Sequence, residues 1–488
     1  MQASPRMRKR AHPMKSKLFA VAAGCALLGA CAVGPNYKRP PVETPPSFKE
    51  TEGWTPVRPS DAADRGAWWS VFADPTLDDL ERRIEISNQN LAAAEAAYRQ
   101  ARALVSEQRA GLFPTVDLTG SATRSKQGAG RVTTTTGGVV APAGRAVNSY
   151  QVDLGASWAP DLWGKIRRGV ESAQASAQAS AADLANARLS AQSELAADYI
   201  QLRLTDAQKD ILQKTADGYV RSLRITRNRY NAGVAAKSDL LQAQTQLVNA
   251  QASLVDLDRQ RTQSEHAIAV LIGRPPAELT IPALADWRPA PPPTPVETPS
   301  TLLQRRPDIA AAERLAAAAS AQIGVQIAAY FPSLTLSASG DAASTALRTL
   351  FNSSNAGWTI GANVAQTVFD AGAIHSRVRE SRAAYDQAVA QYRQTVLTAF
   401  GQVEDNLAAA RVLQAEAALR DEAVQSANEA EQIALNQYRA GQIAYTDVVV
   451  AQAAALAARQ SLLTIQTQRM TTAISLIEAL GGGWTAPG

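Results

Sequence analysis

The chain is 488 residues long, 46% hydrophobic but only 6% aromatic, with a formal charge of +5. Its length allows large buried cores, and with few aromatic rings alanine must fill much of them, a composition suited to closely packed helices. The excess positive charge lies in the first thirty residues and so marks no nucleic-acid partner, while His12, His266 and His375 are scattered without metal-ligand spacing or a nucleophile and base beside them, which argues against an enzyme.

Residues 1–30 read as a signal segment. Arg6, Arg8, Lys9, Arg10, Lys15 and Lys17 precede an apolar run from Leu18 to Leu28 that is too short for a permanent membrane helix. Leu28-Gly29-Ala30-Cys31 resembles a bacterial lipobox, which predicts cleavage before Cys31 and a covalent lipid on it. Loss of these six basic residues leaves 43 Lys+Arg against 44 Asp+Glu. Cys25 leaves with the signal, so Cys31 has no partner for an intrachain disulfide. Residues 31–76 form the lipid-anchored N-terminal segment.

Residues 77–273 read as a first structural repeat. A helix over about 77–112 stops at Phe113-Pro114, because proline disfavours helix in the residue before it. A β-hairpin follows over about 114–160, with the Gly/Thr-rich stretch 127–149 as its loop. In its second strand Tyr150, Val152, Leu154, Ala156 and Trp158 alternate with Gln151, Asp153, Gly155 and Ser157. That period fits a barrel strand with one face toward lipid and the other toward a lumen; a half-buried strand of a soluble sheet has the same period. A proline-free helix over 164–231 then extends on the order of 100 Å at 1.5 Å per residue. It turns near 231–238, where Gly233 ends it and Ser238 is a candidate N-cap for the returning helix. On that helix Leu240, Leu247, Leu254 and Ile268 lie on a seven-residue spacing beside Leu241, Val248 and Val255, which predicts coiled-coil packing.

A linker over 274–300, proline-rich from 289 to 299, leads to a second repeat over 301–481. Its helix (301–330) ends at Phe331-Pro332. Its hairpin (about 332–368) alternates through Trp358, Ile360, Ala362 and Val364, and a long helix (372–439) turns near 439–446 at Gly441, with Thr446 as candidate N-cap. Residues 482–488 are a tail. The pairs Tyr230/Tyr438, Gly233/Gly441, Asp239/Asp447 and Gly273/Gly481 share one offset of 208 residues, whereas Phe113/Phe331 and Pro114/Pro332 are 218 apart. The ten additional residues of the first repeat belong to its hairpin loop. The fold class is mainly α with a membrane β-barrel, each repeat reading helix, strand, strand, long helix, helix. Four strands cannot close a membrane barrel, which needs at least about eight, so several chains must share one.

CAVGPNYKRP (31–40), WWSVFADPTLDDL (68–80), LLQRRPDIAAAERLAAA (302–318), both Phe-Pro junctions and EALGGGW (478–484) resemble the TolC-like outer membrane factors, in the lipoprotein branch of NodT and OprM. The resemblance covers essentially the whole mature chain. It implies a homotrimer with a twelve-stranded β-barrel on a twelve-helix periplasmic α-barrel. Such a trimer is the exit duct of a tripartite system, fed by a periplasmic adaptor and an inner-membrane pump of the RND type. It further implies that the adaptor docks at the helical tips, marking Tyr230, Gly233, Tyr438 and Gly441. An acidic ring at the aperture maps to Asp447, with Asp239 as its repeat partner. Where the family often has a second acidic residue, this chain has Val450, with Gln242 as its counterpart.

One competing reading is a trimeric coiled-coil lipoprotein that serves as a spacer without a channel. The lipid-facing alternation of both hairpins speaks against it. Within transport, metal efflux and protein secretion stand beside small-molecule efflux, with only four methionines to suggest copper or silver.

Overall fold

The computed structural model describes residues 32–50, 67–126, 146–285, 287–292 and 305–482. Cys31, the signal segment, residues 127–145 and the tail beyond Gly482 lie outside the described residues. The helices are α1 (Pro75–Ser87), α2 (Gln89–Ala110), α3 (Lys165–Asn231), α4 (Lys237–Leu271), α5 (Pro307–Ile327), α6 (Ala373–Arg439) and α7 (Tyr445–Ala479). The strands are β1 (Thr115–Lys126), β2 (Ala146–Trp158), β3 (Ser333–Ser344) and β4 (Ala356–Ala365). Two compact units result, each built from both repeats, and α2, α3, α5 and α6 are shared by both.

The first unit (residues 1–39, 100–177 and 314–389) holds one antiparallel sheet in the order β1-β2-β3-β4. Its register places Leu118 opposite Leu154, Trp158 opposite Leu336, and Ala338 opposite both Ala156 and Ile360, so the apolar residues of all four strands share one face. Asp153 lies opposite Thr119 and Asp341 on the other face. Leu118, Trp358, Ile360 and Val364 are largely exposed. At 10 to 13 residues the strands have the length that a tilted membrane strand requires.

Both Phe-Pro junctions are tied by tryptophans. The Trp158 indole donates to the Leu112 carbonyl at 3.0 Å, and the Trp163 indole stacks on Phe331 at 4.7 Å while donating to the Pro332 carbonyl at 2.7 Å. An aspartate starts each long helix. Asp161 accepts from the Ile166 and Arg167 amides (3.1 and 2.9 Å), and Asp370 from those of Gly372 and Ile374 (2.9 and 2.7 Å). Each carboxylate satisfies amides that have no partner within the helix.

In the second unit (residues 40–99, 178–313 and 390–488) the two repeats close with one device. Gly273 and Gly481 have φ of 66° and 88°, and a Cβ would lie 1.9 Å from the Ser87 carbonyl oxygen at one and 2.4 Å from that of Arg305 at the other. Only glycine fits both the backbone and the space. Arg306, buried, chelates Asp308 and donates to Gln402 (2.8 Å) and to the Ala479 carbonyl (3.0 Å). The RRPD run thus fastens the last helix to the second repeat. The start of the linker is held as firmly. Asp206 pairs with Arg203 and Arg261, and these arginines donate to the Pro282 and Ile281 carbonyls. Although α7 is long and apolar enough to cross a membrane, its Leu463, Met470, Ile474, Leu476 and Ile477 fill cores shared with other helices of this unit.

Four details differ from expectation. The helix over 77–112 is two, broken at Asn88, whose side chain donates to the Leu271 carbonyl (2.7 Å) and accepts from the Leu91 amide (3.0 Å). The loop over 127–149 is shorter, because Ala146 already pairs with Lys126. The helix over 301–330 leaves α geometry at Ile327, and a 3-10 turn over Ala328–Tyr330 makes the approach to the proline. In α4 the buried positions are Ala243, Ala250, Leu257, Ile268 and Ala269; of the predicted seam Ile268 is buried and Leu247 and Leu254 pack half-buried on that core, whereas Leu241, Val248 and Val255 beside it are exposed. Small residues let α3 approach on that side.

Glu81 generates the first prediction. It shares the buried face of α1 with Leu77, Leu80 and Ile84, is 0% exposed, and neither carboxyl oxygen has a hydrogen-bond partner among the described residues. Burial, and then the charges of Asp78 and Glu85, push its pKa up to about 9. The folded chain therefore holds a proton that the unfolded chain releases near pH 4.5, so this contribution to stability is complete below that pH and is lost as pH rises toward 9. Thermal melts in detergent should show the midpoint falling between about pH 5 and 9, and Glu81→Gln should flatten that slope.

Candidate functional site

Each long helix ends in the same backbone arrangement. At the first tip the Gly233 amide donates to the Tyr230 carbonyl and the Val234 amide to that of Arg229. At the second, Gly441 donates to Tyr438 and Gln442 to Gln437. With φ of 75° and 77°, Gly233 and Gly441 are the left-handed residues that close helices in this way. Ser238 and Thr446 are not the caps of the returning helices. Ala236 and Ala444, extended and without a capping side chain, occupy those positions, and the hydroxyl residues lie two places inside. The two-residue connection after each Gly-X pair, Ala235-Ala236 and Ile443-Ala444, brings the helix start earlier than hydroxyl chemistry suggests.

The side chains of the two tips are not equivalent. Tyr230 is 38% exposed and Tyr438 is 4% exposed. Tyr438 is held from above and below: the Arg229 guanidinium lies 4.7 Å over its ring and donates to its carbonyl at 2.7 Å, and its hydroxyl meets that of Thr226 at 3.3 Å. The Tyr445 ring lies tilted against it, centroids 5.2 Å apart and planes at 59°, and both belong to a buried cluster with Ala243 and Val448. Gln452 donates to Ser222 at 3.4 Å, adding a tie between the two halves. Burial pushes the Tyr445 phenol up, with Tyr438, Tyr219 and Asp239 adding to the shift. The structure thus brings Tyr438 and Gly441 together with Arg229, while Tyr230, Gly233 and Val234 form a separate, open tip. At the repeat offset Thr226, Arg229 and Tyr445 face Ala434, Gln437 and Lys237. Those departures from the repeat were the available signal for residues that the sequence reading missed.

Asp239 and Asp447 occupy the same place in the first turn of α4 and α7, where a carboxylate favours the positive helix end. Asp447 is exposed, Asp239 half-buried, and neither forms an ion pair among the described residues. Val450, one turn beyond Asp447, is 69% exposed. Cys31 itself is not described, but its neighbours are. The Val33 amide donates to the Trp163 carbonyl at 3.0 Å, and Ala32 packs against Gly164 between β2 and α3.

A short sheet with one largely apolar, exposed face, continued by helices of 67 residues, fits a channel subunit of an outer membrane. The family model for outer membrane efflux proteins matches residues 81–274 and 298–482, and the chain belongs to that family. It is 30% identical over 481 residues to the probable efflux pump outer membrane protein TtgC of Pseudomonas putida, covering 96% of each chain. With the pyoverdine export outer membrane protein OpmQ of Pseudomonas aeruginosa it is 31% identical over 471 residues, covering 96% of this chain and 98% of that one. Among solved structures, the outer-membrane channel OprN matches with a TM-score of 0.84 at 30% identity, over 93% of this chain and 100% of that one. CusC matches at 0.80 and 25% identity, again over 93% and 100%. This chain is accordingly an efflux channel of the outer membrane that extends into the periplasm, and it is not an enzyme.

Loss of Arg229 should loosen the second tip alone. In Arg229→Ala, trypsin cleavage after Arg439 should accelerate several-fold, since a stacked cation and a charged hydrogen bond are each worth roughly 1–3 kcal/mol when shielded from water. Arg229→Lys should recover part of the protection, and Tyr438→Phe, which loses only the hydroxyl contact, should change cleavage least.

Proposed function

We propose that this chain is the exit duct of a tripartite efflux system for small organic molecules, working as a homotrimer. The observation that carries the reading is the four-stranded sheet. It has an apolar face with no cover, and its outer strands β1 and β4 are each paired on one side only among the described residues. Unpaired backbone groups cost several kcal/mol each in lipid, so the sheet needs further copies beside it. Three chains give twelve strands, enough to enclose a pore. Relatives named for toluene, antibiotic and pyoverdine export favour organic cargo over metal ions or proteins.

In this reading a periplasmic adaptor docks at the tips, with Tyr230 and Gly233 offering the open surface and Tyr438 and Gly441 shaping the closed one. The adaptor connects the duct to an inner-membrane pump of the RND class. Three copies of Asp447 form a charged ring at the aperture, Asp239 lies behind it, and Val450 gives an apolar constriction one turn above.

Planar-bilayer recording tests both the duct and its gate. The purified protein should conduct, and a silent bilayer would favour the spacer. Asp447→Ala should raise conductance and reduce cation preference while the oligomer stays intact; unchanged selectivity would leave Asp447 as a helix-terminus residue.

The anchor is Cys31. Acyl chains there insert into the inner leaflet of the outer membrane, each buried methylene contributing roughly 0.8 kcal/mol. The placement of Ala32 and Val33 beside Trp163, next to the strands, supports an anchor at the membrane surface. Radioactive palmitate should label the parent chain and leave Cys31→Ser unlabelled.

A further inference from the structure

The first unit carries a groove along the start of α3, between α2 and α5, with a volume of about 440 Å³. Its floor is low because α3 presents Gly169 and Ala173 there, while Leu104, Ile166 and Val325 supply apolar walls. Gly169 gives way to the neighbouring helix: a Cβ on it would lie 3.2 Å from Gln108 Oε1, so the Gln108 side chain rests across the glycine. Gln108, Gln322 and Lys165 stand exposed at the rim. None of the lining residues is a carboxylate, and Lys165 forms no ion pair among the described residues. Asp161, four residues before it, is engaged by the Ile166 and Arg167 amides and by the Arg167 guanidinium. Glu171 is engaged by Arg168. An apolar cleft of this size with a few converging polar groups is the common form of a small-molecule site.

The N-terminal segment shows which way the groove faces. Ala32 packs on Gly164, the Arg168 guanidinium donates to the Val33 carbonyl at 3.2 Å and to Asn36 Oδ1 at 2.8 Å, and Tyr37 packs on Ala175. Gly164, Arg168 and Ala175 thus form one stripe along α3. Lys165, Gly169 and Ser176 of the groove each come one residue later, about 100° around the helix. No residue of the N-terminal segment lines the groove. A segment that follows a lipid anchor must run on the outer wall of the duct, so the second stripe turns from that wall toward the lumen.

We infer that this groove is a cargo-binding site in the lumen, and that it takes small organic anions with an apolar body. The apolar part lies against Leu104, Ile166 and Val325, and the acidic group meets the Lys165 ammonium, with the rim amides of Gln108 and Gln322 as further donors. The inference rests on the duct reading above and adds a substrate class and the residues that select it. Exposure of Lys165 keeps the attraction modest, as a conducting path requires, since cargo has to leave as readily as it enters. Selectivity among inorganic ions, set at Asp447, is a separate property.

Equilibrium dialysis of the purified protein in lipid nanodiscs tests it, with empty nanodiscs as the blank. The probes are naphthalene-2-sulfonate and 1-naphthylmethylammonium, matched in apolar body and opposite in charge. The parent should bind the sulfonate saturably, one per chain, and more tightly than the ammonium. Lys165→Gln should weaken sulfonate binding about three- to fivefold, the fold-change of an ion pair open to water, and remove the preference between the probes. Gly169→Leu fills the floor and displaces only the end of the Gln108 side chain, and it should abolish saturable binding of both. The same preparations are recorded in a planar bilayer. A conducting parent without saturable sulfonate binding, or binding that either variant leaves unchanged, overturns the inference and leaves the duct standing. Binding that appears only in Cys31→Ser assigns the groove to the chain's own lipid and overturns it too. A silent parent overturns the duct reading and the inference with it.

Discussion

Inside lipid, peptide groups can hydrogen-bond only to one another, and the rest of this chain is arranged around that requirement. Its four strands satisfy one another across the sheet, and the two outer strands are left with an open side among the described residues. The junctions where strands give way to helices are reinforced with polar contacts of their own. Tryptophan indoles take up the Leu112 and Pro332 carbonyls, and Asp161 and Asp370 accept the first amides of the long helices. A carboxylate in that position both fills the vacant acceptor role and complements the helix dipole.

Duplication gives the chain two copies of each solution, and the places where the copies diverge are informative. Gly273 and Gly481 allow the same close approach to the preceding helix in both repeats, at Ser87 and at Arg305. The fastening beyond them differs. Arg306 locks the second repeat to the end of α7, whereas Asn88 and the Arg203–Asp206–Arg261 network secure the first repeat and the start of the linker. At the tips the divergence is larger. An identical backbone turn carries an exposed Tyr230 in one copy and a tyrosine clamped by Arg229 in the other. A duct that has to admit cargo at one end needs a movable element there, and two tips of unequal stability offer one.

Most of the architecture was legible in the sequence. Both Phe-Pro junctions, the alternation from Tyr150 to Trp158, the two long proline-free helices and the glycine at each tip are local signals, because period and backbone conformation are set by neighbours in the chain. The repeat offset added the relation between halves, and a long motif around Arg306 and Asp308 carried the family resemblance. What the sequence could not decide was which apolar residues face inward. Leu241, Val248 and Val255 obey the heptad as well as the buried Ala243, Ala250 and Leu257 do, and a spacing of seven cannot tell a filled seam from one awaiting a partner. Nor could it show that Tyr230 and Tyr438, matched in sequence, differ in burial. That difference comes from Arg229 and Thr226, residues more than 200 positions from Tyr438 that only the packing of α3 against the second tip brings within reach.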